Sequence, residues 1–167
     1  MQGVYKMVIK IGHGYDVHKL VDNKDFILCG VKIDYEKGLL GYSDGDVAFH
    51  AIIDSMLGAA GLNDIGNYFP DNDQQYKNID SKKLLIKTLE IIKSKGYNIG
   101  NIDCTIILQN PKIKKYIERM KKTVSEILDI GYDQFNVKAT TEEGLGFTGN
   151  GLGVAAHAVV LLMKGEF

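Results

Sequence analysis

The segment at residues 153–163, GVAAHAVVLLM, is almost wholly apolar, and it constrains the fold more than any other part of the chain. Its β-branched and small side chains predict a strand. Because polar residues do not alternate with apolar ones, we expect this strand to be covered on both faces. The chain must therefore fold into layers, with this strand inside.

Further strands and amphipathic helices alternate before it. Strands are predicted at residues 7–18, 26–33, 99–108 and 136–140. Helices are predicted at residues 42–61 and 81–95, and a third begins at Pro111. Ser43, with Asp46 three residues later, is typical of a helix start, and Gly61 is typical of a stop. Strands interleaved with amphipathic helices predict an α+β architecture.

Charge and length limit the classes of partner. The 20 Lys and Arg residues oppose 21 Asp and Glu residues, and the net charge is -1. This balance argues against nucleic acid or an anionic membrane surface as the main partner.

The 167 residues suit one domain, 1–167, in which we expect residues 1–6 to form a flexible N-terminal extension. The first residues lack the apolar core of a signal peptide, so we expect an intracellular protein with Cys29 and Cys104 as buried, reduced thiols.

Three residues form a candidate metal site. Asp16 and His18 lie two apart on a predicted strand, so both side chains leave the same face, and His50 lies in the following helix. Three nitrogen and oxygen ligands leave a fourth tetrahedral position open, as in catalytic sites. The alternative is that His50 is a hydrogen-bonded core residue.

The remaining carboxylates and histidines near these residues have two interpretations. Asp46 or Asp54, four residues on either side of His50, can orient its imidazole, or Asp46 can simply balance the helix dipole. We expect His13 and His157 to be packed or interface histidines rather than functional ones.

A glycine-rich segment near the C-terminus is a candidate phosphate site. KATTEEGLGFTGNGLG offers the hydroxyls of Thr140 and Thr141, and Glu143 can hold a hard divalent cation against the same phosphates. Taken alone, its glycines are more typical of tight turns. The sequence has no nucleophile elbow and no Cys beside a His, so we expect the nucleophile to come from water or from the substrate.

Four motifs in order resemble one known family. IGHGYDVH, SDGDVAFH, NDIGNYFPD and NVKATTEEGLGFTGNG are similar to segments of the 2-C-methyl-D-erythritol 2,4-cyclodiphosphate synthases. The resemblance spans residues 10–162. It implies one mixed four-stranded sheet covered by helices, with the sheets of three subunits packed around a threefold axis and active sites between neighbouring subunits. It also implies a bacterial cytoplasmic enzyme, or a plastid stromal one if a transit peptide has been removed.

The resemblance implies a reaction without a protein nucleophile. The enzymes of this family convert 4-diphosphocytidyl-2-C-methyl-D-erythritol 2-phosphate to the 2,4-cyclodiphosphate and CMP, within non-mevalonate isoprenoid biosynthesis. The expected cofactors are Zn²⁺ or a similar transition metal, and Mg²⁺ or Mn²⁺ on the substrate diphosphate. The expected partners are a cytidine diphosphate substrate and two further copies of the chain.

The resemblance also assigns site residues. The implied metal ligands are Asp16, His18, His50 and Glu143, and the implied catalytic residues are Thr141 and Tyr42. The implied substrate contacts are Asp16, His18, Tyr42, Ser43, Asp64, Ile65, Gly66, Phe69, Pro70, Asp71, Asn72, Asp73, Leu108, Pro111, Lys112, Ile113, Lys114, Thr140, Thr141, Glu142, Glu143 and Phe147. Asp64 and Gly66 match the turn that contacts the ribose and methylerythritol, and residues 108–114 match the segment whose backbone holds the cytosine.

Two positions depart from the family. Tyr42 stands where His is common, and a tyrosine hydroxyl carries no charge at neutral pH. Asn150 stands where many members carry an Arg that can bind isoprenoid diphosphates on the trimer axis. Two other functions stay open: a zinc hydrolase or phosphodiesterase that uses water, and a trimeric nucleotide- or isoprenoid-binding module without catalysis.

Overall fold

The computed structural model describes residues 7–165, so the predicted extension at residues 1–6 lies outside the described residues. Seven strands are present in this part of the chain: β1 (Val8–Asp22), β2 (Phe26–Leu28), β3 (Val31–Ile33), β4 (Lys37–Leu40), β5 (Asn98–Ile107), β6 (Phe135–Thr140) and β7 (Gly153–Lys164). Five α-helices accompany them: α1 (Val47–Ala60), α2 (Ile65–Tyr68), α3 (Ser81–Ser94), α4 (Ile117–Leu128) and α5 (Gly146–Gly149). Short 3₁₀ turns lie at Gln74–Tyr76, Lys114–Tyr116 and Tyr132–Gln134.

The main sheet has the strand order β4-β1-β7-β5-β6. β5 and β6 are parallel, while the other neighbouring pairs are antiparallel. The predicted α+β class and mixed sheet are confirmed, but the predicted count of four strands is wrong. The fifth strand is β4, which pairs with the end of β1 because β1 runs to Asp22, beyond the predicted end at His18.

The predicted strand at residues 26–33 is a hairpin instead. Cys29 and Gly30 have φ angles of 50° and 71°, so the chain reverses there and β2 pairs with β3. Gly tolerates this left-handed conformation, whereas Cys rarely adopts it. Cys29 therefore gave no turn signal in the sequence.

Two helix starts also differ from prediction. The N-cap of α1 is Asp46 rather than Ser43, and its carboxylate accepts the N–H of Phe49 at 3.1 Å. α4 begins at Ile117, six residues beyond Pro111, because a loop and a 3₁₀ turn intervene. The predicted stop at Gly61 is confirmed, with φ 72° and its N–H on the carbonyl of Gly58.

Helix α1 packs against the centre of the sheet at close range. A Cβ atom on Gly12 would lie 2.0 Å from the carbonyl oxygen of Ser55, and one on Gly14 would lie 2.0 Å from that of Ala51. Only glycine at these two β1 positions lets the helix backbone approach so closely. This contact brings His50 of α1 beside the strand that carries Asp16 and His18.

The helices cover one face of the sheet, and in the single chain the other face is open. Ile11 on β1 is 71% exposed and Val159 on β7 is 43% exposed. The prediction that the last strand is covered on both faces therefore holds for one face only within one chain. No helix in residues 7–165 is long and apolar enough to span a membrane.

Candidate metal centre and substrate cavity

Asp16, His18 and His50 converge at the junction of β1 and α1. Asp16 Oδ2 lies 3.0 Å from His18 Nε2 and 2.9 Å from His50 Nδ1, and the two imidazole nitrogens are 3.0 Å apart. The two β1 residues leave the same strand face, as predicted, since they are two positions apart. Three ligand-type atoms from residues up to 34 positions apart therefore meet at one point.

The donor set fits a divalent transition metal. Two imidazole nitrogens and one carboxylate oxygen are the donors that Zn²⁺ and similar ions take, and three protein ligands leave one position open. Burial acts to raise the pKa of Asp16, but hydrogen bonds with His18 and His50 outweigh it and hold that pKa well below its usual range. The carboxylate therefore keeps its charge and its ligand oxygens over the physiological pH range.

Two serines orient His50. Its Nε2 lies 2.9 Å from Ser43 Oγ and 3.0 Å from Ser81 Oγ. Ser81 donates its hydroxyl proton to Asp44 Oδ1 at 2.5 Å, so its oxygen is free to accept a proton from Nε2. When Nε2 carries the proton, Nδ1 keeps its lone pair for a cation. Asp44 thus acts on His50 through Ser81.

The prediction that Asp46 or Asp54 orients His50 is wrong. The carboxylate of Asp46 accepts backbone N–H groups of Cys29, Gly30 and Phe49, and that of Asp54 accepts the N–H of Ile65. Both carboxylates are occupied by backbone donors, because the helix start and the α2 turn need acceptors there. Asp44 and Ser81 were missed because a Ser and an Asp at such positions also indicate ordinary helix starts.

A cavity of about 590 Å³ opens beside the three residues. Its lining contains eleven predicted substrate contacts: Asp16, His18, Tyr42, Ser43, Asp64, Ile65, Gly66, Phe69, Pro70, Asp71 and Asn72. It also contains Tyr15, Asp54, Tyr76, Ile79 and Leu84, which were not predicted as substrate contacts. Nothing local in the sequence marks Tyr76 or Ile79 as cavity residues.

The segment at residues 69–79 forms one wall of this cavity and is anchored at several points. Phe69 is buried and packs edge-on against Tyr76, with ring centroids 5.5 Å apart. The Tyr42 hydroxyl donates to the carbonyl oxygen of Asp73 at 3.1 Å, and the N–H of Asn78 donates to the carbonyl oxygen of Tyr42 at 2.8 Å. The Asp73 side chain binds Gln75, outside the cavity lining.

The other predicted contacts lie elsewhere in the chain. Leu108, Pro111, Lys112, Ile113, Lys114, Thr140, Thr141, Glu142, Glu143 and Phe147 are absent from the cavity lining. These residues lie at or beyond the ends of the parallel strands β5 and β6. The N–H of Leu108 donates to the carbonyl oxygen of Thr140 at 3.1 Å and joins the two strand ends. Thr141 Oγ1 donates to Glu143 Oε1 at 3.0 Å, and Glu143 is outside the group formed by Asp16, His18 and His50. The predicted site residues therefore fall into two groups in one chain.

Comparison with known proteins identifies relatives along nearly the whole chain. A protein from Clostridium acetobutylicum named 2-C-methyl-D-erythritol 2,4-cyclodiphosphate synthase is 60% identical over 155 residues, which are 93% of this chain and 100% of that protein. A solved structure of IspF from Plasmodium falciparum, in complex with CDP, has a TM-score of 0.83 and 38% identity, covering 95% of this chain and 97% of that one.

A longer relative shares the same fold. The bifunctional IspDF of Campylobacter jejuni matches with a TM-score of 0.92 and 40% identity over 95% of this chain, which corresponds to 43% of that protein. Residues 9–163 match the model of the YgbB family. With this match, the ordered motifs and the shared fold, the chain belongs to the YgbB family.

Proposed function

We propose that this protein converts 4-diphosphocytidyl-2-C-methyl-D-erythritol 2-phosphate to 2-C-methyl-D-erythritol 2,4-cyclodiphosphate and CMP. The observation that carries the proposal is the convergence of Asp16, His18 and His50, with one ligand position open, at a cavity large enough for part of such a substrate. Relatives named for this reaction match 93% of the chain.

The reaction needs no nucleophile from the protein. An oxygen of the substrate's own 2-phosphate attacks the β-phosphorus and forms a new P–O bond, while the bond from the β-phosphorus to the oxygen of CMP breaks. The electron pair and the charge leave with CMP. Catalysis then consists of folding the substrate so that the two phosphates meet, which can contribute roughly 7–11 kcal/mol in well-oriented intramolecular reactions.

Two ions fit the charge of this substrate. Asp16, His18 and His50 would hold Zn²⁺ or a similar transition metal, and Glu143 would hold Mg²⁺ or Mn²⁺ on the diphosphate. When bound, such ions neutralise charge that develops on the phosphate oxygens. The Thr141 hydroxyl donates its single proton to Glu143 in this structure, and it would turn that proton to a phosphate oxygen when Glu143 holds an ion. We assign Thr141 to the transition state on this basis.

The two groups of residues suggest which part of the substrate each one holds. The cavity wall at Asp64 and Gly66 is assigned to the ribose and methylerythritol, and the loop at Phe69, Pro70, Asp71 and Asn72 is assigned to the adjoining substrate contacts. Residues 108–114 are assigned to the cytosine base, and Thr140 to the phosphates. Because the second group lies outside the cavity of its own chain, we assign each complete site to two neighbouring chains.

A trimer would bring such neighbours together. The open face of the sheet carries Ile9, Ile11 and Val17 from β1 and Val159 from β7, each at least 41% exposed. An apolar face of this kind favours burial against other subunits. The net charge of -1 also fits a protein that binds a polyanion through metals and backbone N–H groups rather than through a basic surface. Bacterial relatives favour the cytoplasm of a bacterium as the location.

The experiment is a CMP-release assay on purified protein with zinc and magnesium supplied, with ³¹P NMR of the product. We expect a cyclic diphosphate, and we expect His50→Ala to lower CMP release at least about 100-fold, because it removes a metal ligand. Glu126→Ala, on the exposed side of α4, is the control and should match the wild type.

Three outcomes would contradict the proposal. A linear phosphate product would indicate a hydrolase, and no CMP release with both metals present would indicate a binding module. Normal turnover of a metal-depleted His50→Ala protein would remove the role of the Asp16–His18–His50 group.

A further inference from the structure

The four histidines of the chain form two pairs, and the proposed reaction uses one of them. His18 and His50 belong to the metal centre. The other pair joins His13 on β1 with His157 on β7, and its nearest nitrogens, His13 Nε2 and His157 Nδ1, are 2.9 Å apart. Sequence reasoning assigned these two residues to packing or to an interface.

Strand pairing places the two imidazoles together. Tyr15 is the register partner of His157, so His13 stands diagonally across from it on the neighbouring antiparallel strand. Diagonal neighbours on one sheet face are within reach of long side chains. The Tyr15 ring packs against His157, with centroids 4.7 Å apart, and restricts the rotation of that imidazole. Both histidines project from the open face, so they are accessible in the single chain.

The second pair repeats the geometry of the first. In the metal centre the facing atoms are His18 Nε2 and His50 Nδ1, 3.0 Å apart, with ring centroids separated by 5.1 Å. In the second pair the same two atom types face each other at 2.9 Å, with ring centroids 5.2 Å apart. Two nitrogens that each lie about 2.0–2.1 Å from one ion can be separated by such a distance.

We propose that His13 and His157 bind a divalent transition metal on the open face of the sheet, at a site separate from the Asp16–His18–His50 centre. Two imidazoles favour Cu²⁺, Ni²⁺, Co²⁺ or Zn²⁺ over Mg²⁺ or Ca²⁺, which prefer oxygen ligands. The pair lacks a third protein ligand within the described residues, so water or a neighbouring chain completes the coordination. It therefore binds more weakly than the three-ligand centre.

The two sites are independent. His13 and His18 are five positions apart on β1, so their side chains leave opposite faces of the sheet. The second site also does not depend on the proposed reaction, because its residues lie on the open face and outside the substrate cavity. If copies of the chain pack through this face, His13 and His157 of each chain stay adjacent. The reason is that β1 and β7 pair as antiparallel strands over twelve residue pairs.

The test is a Co²⁺ titration of the full-length protein, followed by ¹H NMR of the four histidine Cε1–H signals and by metal analysis after equilibrium dialysis. We expect paramagnetic broadening of all four signals, in two steps, with the His13 and His157 signals broadening at the higher Co²⁺ concentration. His157→Gln and His13→Gln should each lose the weaker step and keep the stronger one. His50→Ala should weaken the stronger step and keep the weaker one.

The wild-type spectra make the test independent of variant folding. His13 and His157 signals that stay sharp at Co²⁺ concentrations far above those that saturate the other pair would overturn the proposal. Unchanged Co²⁺ content and broadening in a folded His157→Gln protein would overturn it as well. Because these readouts do not use CMP release, a failure here leaves the proposed reaction unaffected.

Discussion

Tyr42 is a residue that the family resemblance predicts to be catalytic, and its contacts indicate a different role. Its hydroxyl reaches the carbonyl oxygen of Asp73, and its own carbonyl accepts the N–H of Asn78. Both contacts are with the cavity wall at residues 69–79, whereas the three metal-centre residues take no hydrogen bond from the hydroxyl. We therefore propose that Tyr42 positions this wall of the cavity.

Tyr42→Phe separates this positioning role from a direct catalytic one. The variant removes one hydrogen bond of about 1 kcal/mol to the loop. We expect KM to rise about five-fold with kcat nearly unchanged, measured by steady-state CMP release, because in the proposed reaction the loop would contact the bound substrate away from the transferred phosphorus. Tyr132→Phe, at an exposed position on the helix side, is the control. A fall in kcat at constant KM would place Tyr42 in the transition state instead.

Helix α1 shows how one element joins the fold to the site. Its N-cap Asp46 is fully buried and accepts N–H groups of Cys29 at 3.0 Å, Gly30 at 2.6 Å and Phe49 at 3.1 Å. Two of these donors belong to the β2–β3 turn, so the cap also fastens that hairpin to the helix. Because His50 follows one turn later, the cap fixes where His50 meets Asp16 and His18.

The burial of Asp46 predicts a pH dependence of stability. Burial, opposed by the backbone hydrogen bonds, raises the pKa of Asp46 to about 7, while an unfolded chain has a value of about 4. Between these values the folded state binds more protons than the unfolded state. The free energy of unfolding should therefore fall as pH rises from about 4 to about 7.

Asp46→Asn tests this prediction. The asparagine side chain cannot titrate. The free energy of unfolding, measured in urea at several pH values, should therefore fall less between pH 4 and pH 7 than it does in the wild type. At pH 5 it should also be less stable by about 1–3 kcal/mol, because its NH₂ group faces backbone donors. Asp80→Asn, at the exposed N-cap of α3, is the matched control and should change little. If the free energy of unfolding fell equally with pH in Asp46→Asn and in the wild type, the pH dependence would not come from Asp46.

At the scale of the whole molecule, the sheet has one face packed and one face open. The apolar side chains of β7 first indicated cover on both sides, and the single chain supplies the helices on one side only. The division of the predicted substrate contacts into two groups has the same proposed explanation, since each group would be completed by a neighbouring chain. Assembly and catalysis are therefore linked in the proposed trimer.

Val159→Lys tests the assembly. A lysine at the centre of the open face places a charge where apolar surfaces would meet, so the variant should not assemble. By sedimentation we expect a wild-type mass of three times 18.5 kDa and a variant mass near that of one chain. Ile86→Lys puts the same charge on α3, at a position 37% exposed, and should leave the mass unchanged. CMP release should fall with trimer content. A trimeric Val159→Lys protein would place the interface elsewhere.

The sequence alone determined the features that depend on neighbours in the chain. The stop of α1 at Gly61 follows from the conformational freedom of glycine, and the shared face of Asp16 and His18 follows from strand periodicity. The α+β class follows from the alternation of element types. The ordered motifs indicated the family because they keep these local features in order along the whole chain.

Only the tertiary structure decided which distant residues meet. Cys29 and Gly30 reverse the chain and replace one predicted strand by a hairpin, and Asp44 acts on His50 through Ser81, 31 residues beyond the histidine. His13 and His157 are 144 residues apart and become neighbours because the first and last strands of the chain pair at the centre of the sheet. Such contacts depend on strand order and helix packing, which are properties of the whole core, so no local pattern in the sequence specifies them.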